Sequence, residues 1–145
     1  MRTISEEVEI QAGAERVWSI LTDVARYPEW NPFILKLEGE LLLGGRLDVL
    51  LRPPGSRAMG FRPNVLAFRA PRELRWLGHV GIRGIFDGEH SFELIDGPAG
   101  SVRFIQSERF SGILVPLFGT VIRRAKEGFG LMNAALKARA EKTDG

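Results

Sequence analysis

The chain has 145 residues, with 20 basic and 18 acidic side chains for a formal net charge of +2, 17 glycines, 8 prolines and no cysteine. That length suits one domain, residues 1–145, large enough to bury on the order of 70% of its unfolded surface. The missing cysteines exclude disulfides, a thiolate nucleophile and any Cys-based zinc site, and no basic block with interleaved aromatics points to nucleic acid.

Val8 and Ile10 alternate with Glu7 and Glu9, which predicts a half-buried strand ending at Gly13. Nothing in residues 1–7 resembles the apolar segment of a signal peptide, and no apolar run approaches the roughly 18 residues of a membrane span. A cytoplasmic protein without a membrane span is expected. A helix follows over residues 14–21, with Val17, Ile20 and Leu21 on one face and Glu15, Arg16 and Ser19 on the other. Asp23 is placed to cap a second short turn through Arg26, and Pro28 is expected to push Tyr27 out of the α region.

From Ile34 the apolar period becomes two, giving strands at residues 35–43, 46–52, 59–69, 74–80, 86–95 and 102–110. Their connectors carry turn residues, Gly44-Gly45, Pro53-Pro54-Gly55 and Gly97-Pro98-Ala99-Gly100 among them. Short connectors between consecutive strands imply an antiparallel meander. Residues 114–141 then turn helical, with Leu114, Leu117, Phe118, Val121, Ile122, Ala125, Phe129, Met132 and Leu136 in one arc and Arg123, Lys126, Glu127 and Lys137 opposite. A long helix with one apolar face must lie across the sheet. Gly119, Gly128 and Gly130 interrupt it at roughly 1 kcal/mol each relative to alanine. Close packing accounts for Gly128 on the buried arc, and a softened, movable helix is the functional alternative.

Val17-Trp18, Asp23, Tyr27-Pro28-Glu29-Trp30-Asn31-Pro32, the Pro71 to Trp76 corner, Gly88-Glu89-His90-Ser91-Phe92 and the closing helix occur here in an order that covers nearly the whole chain. That order resembles the START-like, polyketide-cyclase-like (SRPBCC, birch-pollen-allergen-like) superfamily. The resemblance implies an α+β helix-grip fold: a curved antiparallel sheet of about seven strands wrapped around a long C-terminal helix, with two short helices after the first strand. It also implies an internal cavity for an apolar ligand, with Trp30, Asn31 and Phe33 near one mouth. Members of that superfamily include ligand carriers, aromatic-polyketide cyclases and dehydratases, and co-chaperones, so the fold leaves the function open.

Parity selects the inner wall. Phe86, Gly88, His90, Phe92 and Leu94 share a face away from Asp87, Glu89 and Glu93, and Val102, Phe104, Gln106, Glu108 and Phe110 share one away from Arg103, Ser107 and Arg109. A hairpin between these strands pairs residues whose numbers sum to 196 or 198, setting His90 opposite Gln106 or Glu108. Three polar side chains then converge on an apolar wall, as a ligand-orienting site requires. An internal hydrogen-bond network is the plainer role for them. Leu66 and Phe68, Leu74 and Trp76, and Leu47, Val49 and Leu51 are assigned inward by the same alternation, with ordinary core packing as the alternative role.

The candidate ligand-binding set is therefore Trp30, Phe33, Val49, Leu66, Phe68, Trp76, His90, Phe92, Phe104, Gln106, Glu108, Val121, Phe129 and Met132. The two histidines lack H-E-x-x-H or cysteine partners, and the chain has no P-loop, no G-x-G-x-x-G after a strand and no G-x-S-x-G elbow. Neither a metal nor a cofactor is expected. The leading expectation is non-enzymatic binding or transport of a small hydrophobic or amphipathic molecule by a monomer or homodimer. The alternative is a cyclase or dehydratase using His90 and Glu108 as acid and base. An interaction module would need an apolar outer face, which the charged odd-numbered residues argue against.

Overall fold

A computed structural model of the chain describes residues 1–142. The first strand β1 (Arg2–Ile10) leads into α1 (Ala14–Thr22) and, through a 3-10 turn, into α2 (Tyr27–Trp30). Seven strands follow: β2 (Ile34–Gly39), β3 (Leu47–Leu51), β4 (Met59–Phe61), β5 (Asn64–Arg69), β6 (Glu73–His79), β7 (Asp87–Asp96) and β8 (Val102–Ser111). The closing helix is α3 (Gly119–Glu141).

All strand pairings are antiparallel, forming a five-stranded sheet in the order β1-β8-β7-β6-β5 and a three-stranded sheet β2-β3-β4. An Arg46–Asn64 bridge and the Leu47 N–H to Pro63 C=O bond of 2.9 Å join the two. The run over residues 59–69 forms two strands, broken between Phe61 and Asn64. Pro63 within the break has no N–H to continue a ladder.

The wall of β7 and β8 follows its alternation: Phe92, Leu94, Val102 and Phe104 are at most 2% exposed. They meet Ile122, Phe129, Met132 and Leu136 of α3, each fully buried, in one hydrophobic core. Gly128 also lies on the buried side, and a Cβ there would run into the Phe33 ring. Beyond Gly130 there is open space.

Four local expectations change. Tyr27 is helical (φ −52°, ψ −39°) despite preceding Pro28. Its fully buried ring packs edge-on against Trp30 and its hydroxyl donates to the Leu21 carbonyl, while Pro28 sits in the first turn of α2, where no N–H is required. Asp23 precedes the 3-10 turn Val24–Arg26 but pairs with the Arg26 guanidinium at 3.1 Å and caps no backbone N–H. Leu117 is 77% exposed because the segment Val115–Leu117 is a separate 3-10 turn, so the phase of α3 does not extend to it.

Leu66 is the fourth, and it is a correction to the inner wall. A bulge in the β5–β6 pairing lies between Val65 and Ala67, so Val65 is buried and Leu66 is 41% exposed. One unpaired residue inverts the faces before it relative to those after it.

Candidate functional site

The β7–β8 register pairs residues whose numbers sum to 198, placing His90 opposite Glu108 and Phe92 opposite Gln106. His90 is 2% exposed, held between the stacked Trp76 ring (centroids 5.1 Å) and the edge-on Phe129 ring (5.0 Å). Its Nδ1 lies 3.1 Å from Glu108 Oε1 and its Nε2 lies 2.9 Å from Gln106 Oε1. Gln106, fully buried, donates through Nε2 to Asn133 Oδ1 of α3 at 2.8 Å, and Asn133 Nδ2 donates to the Glu6 carbonyl of β1 at 3.0 Å. The chain of bonds thus ties sheet to helix as well as orienting the imidazole. Asn133 has no part in an apolar-arc argument, so only the fold brings it in.

Next to this network, under the first turns of α3, lies a cavity of about 180 Å³. Its origin is local. On the inner faces of β6 and β7 the next registered pair after Trp76 and His90 is Gly78 and Gly88, two positions with no side chain. Phe86, Phe110 and Phe118 wall it beyond them, with Val49 and Phe33 on the opposing side, and Val80, 43% exposed, stands where it meets solvent. Glu108 also lines the cavity, with Oε2 in the space that a Gly88 side chain would take. The cavity is therefore mostly apolar, its polar lining being His79, whose Nδ1 lies 2.9 Å from Asp87 Oδ1, and the Glu108 carboxylate, itself bound to a buried imidazole.

Of the candidate residues, Phe33, Val49, Trp76, Glu108 and Val121 line this cavity. His90 and Gln106 stand behind Glu108, reaching the space through it. Phe92, Phe104, Phe129 and Met132 are packed solid in the core away from the cavity lining. Phe68 packs at a tilt against Trp18 of α1 at 5.5 Å and Trp30 packs on Tyr27 at 5.2 Å, both outside the cavity. Asn31 ends α2 and precedes β2, its Oδ1 accepting the Phe33 and Ile34 N–H groups. Lining residues absent from the candidate set include Phe86, Phe110, Phe118 and Met59. Phe86 and Phe110 carried a readable signal, being on the inward parity of their strands, and so did Phe118, on the apolar arc, whereas Met59 is brought in by the placement of β4. Among the described residues no cluster of three His, Cys, Asp or Glu side chains is arranged to hold a metal, and no helix is long and apolar enough to cross a membrane.

An α3 helix laid over an antiparallel sheet, with a small apolar cavity between them, defines a helix-grip, START-like protein. The chain belongs to the family described as polyketide cyclase / dehydrase and lipid transport, whose model matches residues 1–141. No curated protein matches it by sequence. Among solved structures it is similar to a START superfamily protein from Mycobacterium smegmatis, at 22% identity and a TM-score of 0.73 over 96% of this chain and 97% of that one. It is similar also to the Zhui aromatase/cyclase from Streptomyces sp. R1128, at 15% identity and a TM-score of 0.77 over 97% and 93%. A third is a norcoclaurine synthase from Thalictrum flavum, at 15% identity and a TM-score of 0.70 over 96% and 93%. At these identities the likeness is one of fold.

Proposed function

We propose that this protein binds a small apolar or amphipathic molecule in the cavity beneath the start of α3, and does so as a carrier or binder. The observation that carries the reading is the Gly78–Gly88 gap, which leaves about 180 Å³ of mostly apolar space in an otherwise filled interior. A mostly apolar cavity of this order holds a guest of one or two rings, with burial of its surface as the driving force. Glu108, backed by His90 and Gln106, supplies the polar contact that fixes orientation. The family's description, which includes lipid transport, is consistent with it. Native mass spectrometry of freshly purified protein, followed by organic extraction, tests this: a co-purifying small molecule released on unfolding is expected. Absence of any guest, together with no binding of one- or two-ring probes, overturns it.

One observation favours a cyclase or dehydratase as the second reading. A carboxylate hydrogen-bonded to an imidazole in a cavity wall is equipped for proton transfer, and Zhui, a protein of the same fold, is an aromatase/cyclase. Under this reading Glu108→Gln retains binding and loses turnover. Under the binding reading no turnover exists to lose.

A further inference from the structure

The hydrogen bonds behind Glu108 fix where its proton can be. The Glu6 carbonyl on β1 can only accept, so the Asn133 amide presents Nδ2 to it and Oδ1 to Gln106. Gln106 must then give its Nε2 protons to Asn133, which leaves Gln106 Oε1 facing His90 Nε2 at 2.9 Å. Oxygen and nitrogen lone pairs cannot hold each other, so His90 Nε2 carries a hydrogen. The other ring nitrogen, Nδ1, faces Glu108 Oε1 at 3.1 Å. A bare Nδ1 against an ionised carboxylate would again oppose two lone pairs, so one proton lies between them. The pair is either imidazolium with carboxylate or imidazole with carboxylic acid, neutral overall in both cases.

Both forms leave Glu108 Oε2 without a proton. That oxygen lies over Gly88, in the cavity lining, and no described residue donates to it. Building on the binding reading above, we infer that the cavity selects a neutral guest bearing a hydroxyl, whose O–H donates to Glu108 Oε2. Gln106 and Asn133 are the positioning residues that keep this oxygen an acceptor. A carboxylate guest would set lone pairs against it in an apolar site, and a bare hydrocarbon would bury it without a partner. An unmade hydrogen bond of this kind separates alcohol from hydrocarbon by about 10- to 100-fold in affinity.

Three two-ring probes test the inference on the full chain: 2-naphthol, naphthalene and 2-naphthoate, titrated by calorimetry. The expected order is 2-naphthol tighter than naphthalene by at least about tenfold, with 2-naphthoate weakest. Glu108→Leu is expected to abolish the preference. Glu108→Gln is expected to keep it, since its amide N–H can donate to His90 Nδ1 while its oxygen takes the place of Oε2. Nitrogen-15 NMR of His90 reads the relay directly: Nε2 is protonated in the native chain, and in Gln106→Leu, with no acceptor beside it, Nε2 loses its hydrogen while the proton shared between Nδ1 and Glu108 stays. A native Nε2 without a hydrogen overturns the relay. Equal affinity for 2-naphthol and naphthalene overturns the hydroxyl selection and leaves the binding reading standing, whereas failure of all three probes to bind overturns the selection, and overturns the binding reading too when no guest co-purifies.

Discussion

Gly78 and Gly88 stand opposite each other in the β6–β7 ladder, and both line the cavity. A Cβ on Gly78 would meet only the Pro63 Cβ, at an ordinary 3.6 Å. Gly78→Val is therefore expected to keep the fold, with stability changed by no more than about 1 kcal/mol because valine suits a strand. Its branched side chain enters the cavity, so binding of a two-ring probe should fall at least tenfold. Thermal denaturation and probe titration on the same sample separate the two effects. Unchanged binding would mean that guests lie elsewhere.

The two helix glycines should respond in opposite directions. At Gly128 the added methyl collides with the Phe33 ring, itself 1% exposed and packed edge-on against Phe129 at 5.6 Å. Gly128→Ala is expected to destabilise by about 1–3 kcal/mol, overpacking outweighing helix propensity. Gly130 meets nothing within 4 Å, and Gly130→Ala should stabilise by up to about 1 kcal/mol. Denaturant midpoints measure both, and a stabilised Gly128→Ala would contradict the tight Phe33 packing.

Tyr27 is the single tyrosine, so its ionisation can be followed alone by absorbance. Complete burial pushes its phenol well above the ordinary value. A raised folded value means the unfolded chain releases the proton first; the stability this group contributes is intact below about pH 10 and declines above it. Phenolate absorbance is expected to appear only together with loss of helical circular dichroism. Titration of Tyr27 in a chain that stays folded, near the value of a free phenol, would show the ring to be exposed.

Acid acts through the opposite sign. The Glu73 carboxyl is held below its usual value chiefly by a hydrogen bond from Arg69, with the charge of Arg75 adding to it. Glu29 is lowered by Arg139, linking α2 to α3, and Asp96 by Arg72. Depressed folded values mean that these carboxylates stabilise the fold above the unfolded value of about 4 and lose that contribution as pH falls through the folded one. Melting temperature should drop steadily from about pH 5 to pH 3, and Glu73→Gln should flatten the slope. Glu73 carries the test because it is the most enclosed of the three.

The sequence by itself determined the order of elements, the antiparallel meander, the apolar stripe of α3 and the inward parity of β7 and β8. Each of these follows from a repeat of two or about 3.6 residues, and a repeat is a local property written along the chain. Even the polar cluster was legible, because a short loop restricts a hairpin to two registers and one of them pairs His90 with Glu108. Parity failed at Leu66, where a bulge that no residue type announces shifted the count by one, and the proline rule failed at Tyr27, where burial of a ring outweighed the steric preference imposed by Pro28.

The tertiary structure alone decided where the empty space lies. The candidate set spread along the whole interior, yet Phe92, Phe104, Phe129 and Met132 fill one end completely and the cavity occupies the other. An apolar side chain facing inward has the same pattern whether it meets another side chain or a void. Only the register that brings Gly78 to Gly88, and the crossing of α3 that brings Asn133 to Gln106, distinguishes the two. Both are contacts between residues distant in sequence, set by packing that no local repeat encodes.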